Sequence, residues 1–238
     1  MNGKRAYLEC EKQWVYRVLI IIAGFYGGYA MVVRGGMFSN AQTGNVAFMA
    51  IALGEGRIKD ALYYLIPMSA YMLGGLVSEA LPRPLRKAHF FRWDTVLTLF
   101  EIVAVIAMGF IPASAPHQIC QVLINFICAM QYNTFRQAEG VAMATTFVTN
   151  HIRQTGIQLA GFFDKTKNNK DQMRKAGIHM AMIACFIVGV FSAAVCCRFF
   201  GTYAIWFNLI PLAVVFIDLL HADLTTEKEL LEVKPSGH

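Results

Sequence analysis

The stretch SNAQTGNVAFMAIALG (residues 39–54) decides the fold that the sequence predicts. It begins with a polar group of residues and becomes apolar from Val46 to Leu53. A helix over residues 43–53 would measure roughly 16 Å, about half the thickness of the hydrocarbon core of a bilayer. The pattern therefore predicts a helix that begins inside a membrane and does not cross it.

The rest of the chain has the composition of a multi-pass membrane protein. Of its 238 residues, 56% are hydrophobic and only 15% are charged, whereas a soluble domain has about 25% charged residues. The mean hydropathy is +0.46. We therefore predict an all-α integral membrane protein. Its apolar runs, each near the ~17–25 residues of a transmembrane helix, are residues 15–33, 62–80, 96–111, 119–135, 176–197 and 203–220.

Composition also argues against several functional classes. The net charge of +6 comes from Lys and Arg beside the apolar runs, which indicates contact with lipid headgroups and not with nucleic acid. The six cysteines form no CxxC pair, so we expect neither a disulfide framework nor a zinc site. The chain has no HExxH or GxSxG motif. We therefore predict that the protein is not an enzyme and has no cofactor.

The basic segments predict the topology. Residues 4–17, 82–93 and 164–175 are rich in Lys and Arg, whereas the connector 112–118 has none. Basic loops favour the cytoplasmic side. All three segments lie there only if the short stretches near 43–54 and 145–163 dip into the membrane and return. We therefore predict six crossings, two re-entrant half-helices and cytoplasmic termini; the alternative is eight complete crossings.

The two short stretches also resemble each other, which indicates an internal repeat. Each follows one long apolar run and precedes two more, so the repeats cover about residues 14–111 and 118–221. They belong to a single transmembrane domain, residues 1–238, with polar termini at 1–13 and 222–238. Aligned segments are 42–54 with 148–160, 18–24 with 122–128, and 71–80 with 186–194; Thr43 meets Thr149, and Asn45 meets His151.

An odd number of crossings in each repeat would make the second copy inverted. Inverted repeats with interrupted helices are the architecture of many channels and secondary transporters. The alternative is that apolar helices resemble one another by composition alone.

Polar residues at the start of each half-helix are the candidate solute site. Two helix N-termini that meet near the midplane would favour a polar or anionic solute; alternatively, these residues only cap each other and lock the two halves together. Glu101 lies within an apolar run, where a carboxylate is costly and often functional, although a protonated glutamate bonded to a neighbouring helix would also explain it. The candidate substrate-binding residues are Asn40, Gln42, Thr43, Gly44, Asn45, Glu101, Gln131, Asn133, Thr149, Asn150 and His151.

Two further polar features accompany this set. Gln121 and Asn125 lie on one face of a predicted helix and could either glue helices together or line a pathway. Arg34 lies at a helix end, where we expect its side chain to extend to the headgroups.

Three segments of the chain resemble the YoaK family of small bacterial membrane proteins. They are AGFYGGYAMVVRGGMFSNAQTGNVAFMAIALGEG (residues 23–56), AMQYNTF (129–135) and ATTFVTNHIRQTG (144–156). The resemblance implies a multi-pass inner-membrane protein with no established substrate and no catalytic residues.

The chain departs from that family at two places. Family members often have an acidic residue near the position of Gly27-Gly28, and Thr-Gly where this chain has Thr149-Asn150. A proton-coupled role for that acid would require Glu101 as its substitute here.

Together these features predict a small-solute channel or secondary transporter of the bacterial inner membrane. Its expected partners are the lipid bilayer and a small-molecule solute, without nucleic acid, and the sequence leaves a homo-oligomer open. The alternative is a non-transporting membrane protein that assists assembly or binds a partner.

Overall fold

The computed structural model describes residues 7–88, 91–164 and 168–235. The chain is 78% helical, so the predicted all-α class is confirmed. Lys4, Arg5, Lys165 and Lys167, and the side chains of Arg86 and Lys87, lie outside the described residues. Within the described ranges the helices are α1 (Gln13–Val33), α2 (Gln42–Gly54), α3 (Ile58–Ala80), α4 (Pro82–Ala88), α5 (Trp93–Gly109), α6 (His117–Thr134), α7 (Thr149–Phe162), α8 (Asn169–Phe200) and α9 (Leu209–Leu224).

Three stretches are long and apolar enough to cross a membrane. They are Gln13–Val33, Ile58–Leu85 and Asn169–Leu224, the last of which contains both α8 and α9. Helix α5 has only 17 residues, and α6 carries several amide side chains. These stretches indicate a membrane protein.

Local structure differs from the sequence prediction in three places. The basic segment 82–93, expected to be a loop, contains α4, which Pro82 can begin because proline needs no N–H bond at the first helical position. The apolar run at 203–220 begins as a 3-10 helix, Gly201–Asn208, before α9. A short antiparallel hairpin of β1 (Gln137–Ala138) and β2 (Val141–Ala142) follows α6.

Two long helix pairs form the centre of the bundle. Helix α1 packs on α8, and α3 packs on α6. At each crossing a glycine lets the backbones approach closely. A Cβ atom on Gly189 would overlap the carbonyl oxygen of Ile21, and one on Gly74 would overlap that of Phe126. Both crossings therefore require glycine.

The bundle has two distinct ends. The backbone N–H of Glu9 donates to Glu227 Oε1 at 2.6 Å. The segment before α1 and the segment after α9 therefore meet at one end of the bundle, here called the terminal end. At the other end, here called the distal end, Arg34 contacts the carbonyl groups of Ile111 and Pro112.

Helix α2 begins in the middle of the bundle and returns to the distal end. After α1 the chain turns back, so that Asn40 Nδ2 donates to the carbonyl oxygen of Ala23, midway along α1, at 3.3 Å. The 13 residues of α2 then span about 20 Å. Helix α3 continues from the distal end and runs parallel to α6, because Tyr63 contacts Gln121 near the starts of both helices.

Helix α7 is the counterpart of α2 at the terminal end. The loop before it reaches into the bundle, where Gln131 Nε2 donates to the carbonyl oxygen of Thr145 at 3.2 Å. The 14-residue helix then runs back along α8, and its Gly161 lies against Gln172 in the first turn of α8. Both predicted short helices are thus present, and each begins inside the bundle.

Candidate functional site

The residues that begin α2, here called the first head (residues 38–45), are held by side-chain amides. Asn45 is fully buried, and its Nδ2 donates to the carbonyl oxygen of Phe38 at 2.6 Å and to Gln42 Oε1 at 3.0 Å. Gln42 Nε2 in turn donates to Asn125 Oδ1 at 2.6 Å. These bonds fold the loop back on itself and fasten the start of α2 to α6.

A chain of amides continues from the first head to the distal end. Asn125 Nδ2 donates to the carbonyl oxygen of Gln121 at 2.7 Å, and Gln121 Nε2 donates to that of Arg34 at 2.7 Å. The hydroxyl of Tyr63, on α3, donates to Gln121 Oε1 at 3.0 Å. The face of α6 that carries Gln121 and Asn125 is therefore lined with polar groups where it meets α2 and α3.

The second head (residues 144–151) contains a corresponding bond made by a histidine. His151 Nε2 lies 2.7 Å from the carbonyl oxygen of Ala144, and its Nδ1 lies 3.0 Å from Nδ1 of His179 on α8. A carbonyl oxygen only accepts, so in neutral rings His151 carries its hydrogen on Nε2 and His179 donates from Nδ1. Like Asn45 and Phe38, His151 and Ala144 are seven residues apart.

Five buried polar atoms in and beside the two heads lack a hydrogen bond of good geometry with a described residue, although the hydroxyl of Tyr71 lies beside that of Thr146. Nearly all buried polar groups in native proteins are bonded, so such a group indicates a place for water or a polar ligand. In both amides concerned, the NH₂ group faces backbone carbonyls, so the free atom is the acceptor oxygen. The five atoms are Asn45 Oδ1, Gln131 Oε1 and the hydroxyls of Ser39, Thr145 and Thr146.

Both heads are fastened to neighbouring positions of α1, the second one through Gln131. Gln131, which also holds the second head, donates to the carbonyl oxygen of Leu19 at 3.3 Å, and Asn40 of the first head donates to that of Ala23. Leu19 and Ala23 are neighbours on one side of a helix, about 6 Å apart along its axis. Neither Ala41 nor Val148, the residues that precede α2 and α7, caps its helix with a side chain. The first backbone N–H groups of each helix are therefore further donors at this place.

Six of the predicted residues do not join this buried group, and four of them lie in or beside the heads. Thr43 and Thr149 are exposed on the outer sides of α2 and α7. Gly44 packs against the ring of Phe38, and a Cβ atom on Gly44 would lie only 2.8 Å from a carbon of that ring. Asn150 accepts a bond from Arg153 at 3.2 Å.

Asn133 lies at the terminal end, in an open pocket. Its Nδ2 donates to Ser78 Oγ at 2.8 Å, and its Oδ1 accepts from Arg136 at 2.5 Å. Arg136 also donates to Glu79 at 3.2 Å. The lining residues are Ser78, Glu79, Pro82, Arg83, Arg92, Trp93, Asp94, Asn133, Arg136, Leu231, Val233, Lys234 and Pro235.

Glu101, on α5, faces α1 and α6 and belongs to neither head. Its side chain is 1% exposed, and neither carboxyl oxygen has a hydrogen bond of good geometry with a described residue. The hydroxyl of Tyr26 and the thiol of Cys128 are the titratable groups that face it.

The expectation for Arg34 was wrong. Its side chain is fully buried and donates to the hydroxyl of Tyr29 at 2.9 Å and to the carbonyl oxygens of Ile111 and Pro112 at 2.7 and 3.2 Å. The guanidinium does not extend to headgroups because the loop between α5 and α6 folds over it. It ties the end of α1 to that loop.

Sequence reasoning missed several members of the site. Ser39 and Thr145 occupy matching positions in the alignment of the two half-helices, so that alignment could have identified them. Tyr63 and His179 are contributed by α3 and α8, and the sequence has no local signal for them.

A model of the family described as "Protein of unknown function (DUF1275)" matches residues 15–217. The YoaK name, which the sequence suggested, is consistent with this family. No curated protein and no solved structure matches the chain. The match covers most of the 238 residues, and the chain therefore belongs to the DUF1275 family of proteins of unknown function.

Proposed function

We propose that the protein is a small-solute channel or secondary transporter of the bacterial inner membrane, and not an enzyme. The solute site lies between the two heads. The single observation that carries this proposal is the group of five polar atoms buried there that lack a hydrogen bond of good geometry with a described residue. If the polar residues of the heads only held the two halves together, their polar atoms would be expected to be hydrogen-bonded to protein groups.

The positions of α2 and α7 support six crossings with two re-entrant half-helices. Each helix begins beside the middle of a long helix and returns to one end of the bundle, α2 to the distal end and α7 to the terminal end. Irregular backbone at membrane depth is tolerated where protein or water covers it, and both heads are covered by α1 and α6.

The charges support a cytoplasmic terminal end. At the distal end Arg57 is paired with Glu55 and Asp60. Cytoplasmic surfaces carry the excess of Lys and Arg, which supports a cytoplasmic position for both termini. The basic residues described at the terminal end include Lys12, Arg17, Arg83, Arg136, Lys170, Arg174, Lys175 and Lys234.

The helix contacts support an inverted repeat. In the proposed repeat, α1 corresponds to α6, α2 to α7, α3 to α8 and α5 to α9. This correspondence relates the contact between α1 and α8 to the contact between α6 and α3, and both contacts are present. It also relates the contact between α2 and α3 to the contact between α7 and α8, and both of these are present as well. Helices α5 and α9 contact each other, as this correspondence requires. Gly74 and Gly189, which the sequence alignment pairs, make the two long crossings.

The free atoms indicate the class of solute. Carbonyl-type acceptors, hydroxyls and helix N–H groups would bind a small polar solute that both donates and accepts hydrogen bonds. Within residues 38–45 and 144–151, His151 is the one titratable side chain, and an ion buried without a counter-charge is costly. A neutral solute is therefore favoured over the anion that the helix dipoles alone would suggest.

Transport by the purified protein in liposomes tests the proposal. A panel of small polyols, amides, amino acids and carboxylates would be compared for flux. Replacing Asn45 removes a bond that positions the first head, so Asn45→Leu should reduce the flux of the preferred solute by about tenfold or more. Thr43→Val is the matched control, because Thr43 lies two residues away but is exposed. Absence of flux for every solute, or equal flux in a folded Asn45→Leu protein, would contradict the proposal.

Thiol labelling tests the topology separately. In a variant without its native cysteines, a cysteine at Gly56 should react with a membrane-impermeant reagent added to intact cells. A cysteine at Lys170 should react only after permeabilisation. Eight complete crossings would place residue 56 inside the cell and reverse the first result.

A partner-binding role is favoured by one further observation. Small residues at helical spacing face outward on α2, at Thr43, Ala47, Ala50 and Gly54. Such a row permits close contact with another transmembrane helix, from a second copy of the chain or from another protein. Co-purification of one stoichiometric partner, lost in Ala50→Phe, together with no flux in liposomes, would favour this role over transport.

A further inference from the structure

Glu101 is a buried acid that the proposed solute site does not use. Both of its oxygens and the facing hydroxyl of Tyr26 lack a hydrogen bond of good geometry with described residues. No Lys, Arg or His side chain is among the charges that act on it. An ionised carboxylate in this position would be strongly disfavoured. Its resting form is therefore the neutral acid.

The titratable groups described around Glu101 come from α1 and α6. Helix α1 contributes Tyr26, and α6 contributes Cys128. The titratable residues of α9 face other groups: Asp218 lies against Glu9, and Asp223 bonds Thr95. His221 bonds Thr225, while Tyr203, before α9, is 59% exposed.

A polar row leads from the terminal pocket to Glu101. Asp94, Thr98 and Glu101 are spaced four and three residues apart on α5 and are all buried, so they share one face over about 10 Å. The hydroxyl of Thr98 donates to the carbonyl oxygen of Asp94 at 2.8 Å.

Asp94 lines the pocket, where its Oδ1 lies 3.6 Å from Arg92 Nε, and Cys10, Asp223 and Glu227 also face it. Its Oδ2 has no hydrogen bond of good geometry with a described residue. Protons could therefore reach this row from the pocket.

The same face becomes apolar on the other side of Glu101. The next residues at this spacing are Val105 and Met108, both fully buried. The row thus opens toward the terminal end and is closed toward the distal end. Access from one side is what a proton-loading site requires.

Helix α1 contacts both Glu101 and the first head. Tyr26 faces the carboxyl group, whereas Ala23 and Gly27 contact Asn40 of the first head. A change in the charge of Glu101 would therefore act on the helix against which the first head is packed.

We propose that Glu101 is a proton-binding site, loaded from the terminal pocket through Asp94 and Thr98, and that proton binding there drives solute transport. In the loading step a hydronium ion in the pocket gives a proton to the Asp94 carboxylate and leaves as water. Asp94 then gives a proton to the Thr98 hydroxyl, which gives its own proton to Glu101, ionised after the previous release, so that one O–H bond breaks as each new one forms. Release is the reverse, and no oxidant or reductant takes part. The coupling rests on the proposed transport function, but the proton site itself does not.

Infrared difference spectroscopy tests the proton site without any solute. Spectra of the reconstituted protein at two pH values should contain the C=O band of a buried carboxylic acid, and Glu101→Gln should remove it. Glu55→Gln, at an exposed carboxylate at the distal end, is the matched control and should leave the band in place. If Glu101→Gln does not fold, Tyr26→Phe should shift the band by removing the facing hydroxyl. An unchanged band in a folded Glu101→Gln or Tyr26→Phe protein would overturn the proposal.

Transport assays test the coupling. For a solute that the wild-type protein carries, Glu101→Gln should retain equilibrium exchange but lose accumulation driven by a pH gradient by about tenfold or more. Asp94→Asn should slow the same accumulation. Loss of exchange and accumulation together, or retention of both, would overturn the coupling. If the wild-type protein carries no solute while the infrared band behaves as expected, the transport function fails and the proton site stands.

Discussion

The two heads share one bond from a side chain to a backbone carbonyl seven residues earlier, but their surroundings differ. Asn45 bonds the carbonyl oxygen of Phe38, and His151 lies at the same spacing from that of Ala144. The first head then continues into a chain of amides on α6, whereas His151 reaches only His179. The bond within each head is thus common to both halves, and the polar chain belongs to one half of the molecule.

The aligned positions explain this difference. Where α6 has Gln121 and Asn125, α1 has Arg17 and Ile21, and where the first head has Gln42, the second has Val148. The second half therefore cannot build the same amide chain. The bond from Asn45 to Phe38 and the bond from His151 to Ala144 each lie within one head. The two halves can therefore share this bond while their other polar contacts differ.

The largest effect should come from the glycines at the two long crossings. A Cβ at Gly74 or Gly189 would overlap a backbone carbonyl oxygen, so Gly74→Ala and Gly189→Ala should each lower the free energy of unfolding by about 3 kcal/mol. Gly75→Ala is the matched control, because nothing lies within 4 Å of its Cβ position. Thermal unfolding in detergent measures this. A large loss at only one of the two glycines would show that the halves do not pack alike.

The second head should tolerate asparagine in place of His151, because asparagine occupies the matching position, 45, in the first head. Asparagine at position 151 can donate to Ala144 as Asn45 does to Phe38, so His151→Asn should cost at most about 1 kcal/mol. His151→Leu leaves the carbonyl group of Ala144 and His179 Nδ1 without a partner and should cost about 2–4 kcal/mol. The same unfolding assay compares them, and equal costs would argue against a shared bond.

The bond from Gln42 to Asn125, at the start of the chain of amides, should contribute a smaller part of the stability. Gln42→Leu removes the donor to Asn125 Oδ1 and should cost about 1–2 kcal/mol. Val148→Leu, which places the same residue at the matching position of the second head, should cost less than about 1 kcal/mol. If both variants lost equal stability, the two heads would not differ in the way the contacts indicate.

The smallest effects should come from the two matching threonines. Thr43 and Thr149 are both exposed, so Thr43→Val and Thr149→Val should each change the free energy of unfolding by less than about 0.5 kcal/mol. A larger loss in either variant would place that hydroxyl in a contact formed with a partner chain.

The half-helices were the most predictable part of the fold. The sequence predicted short helices at 43–54 and 149–163, and they form at Gln42–Gly54 and Thr149–Phe162. Their bounds are local properties, because a polar group precedes each helix and a turn with charged residues follows it. Arg34 was less predictable, because its surroundings depend on a loop about 77 residues away.

The candidate site was predictable only in part. Asn45 and His151 were identified through the alignment of the two halves, and both are buried in the heads. Thr43 and Thr149 have similar residue types and spacing but face outward. The direction that a side chain takes from a helix is decided by the neighbours on which that helix packs, and those neighbours are distant in sequence.

The sequence by itself determined the membrane class, the all-α composition and the places where short helices begin, because apolar length and local polarity are properties of neighbouring residues. The tertiary structure decided which polar atoms remain without partners, how Arg34 is buried and that Glu101 shares a face with Asp94 close to a pocket. These features depend on which helices meet at what depth, and that is set by the close contacts at Gly74 and Gly189.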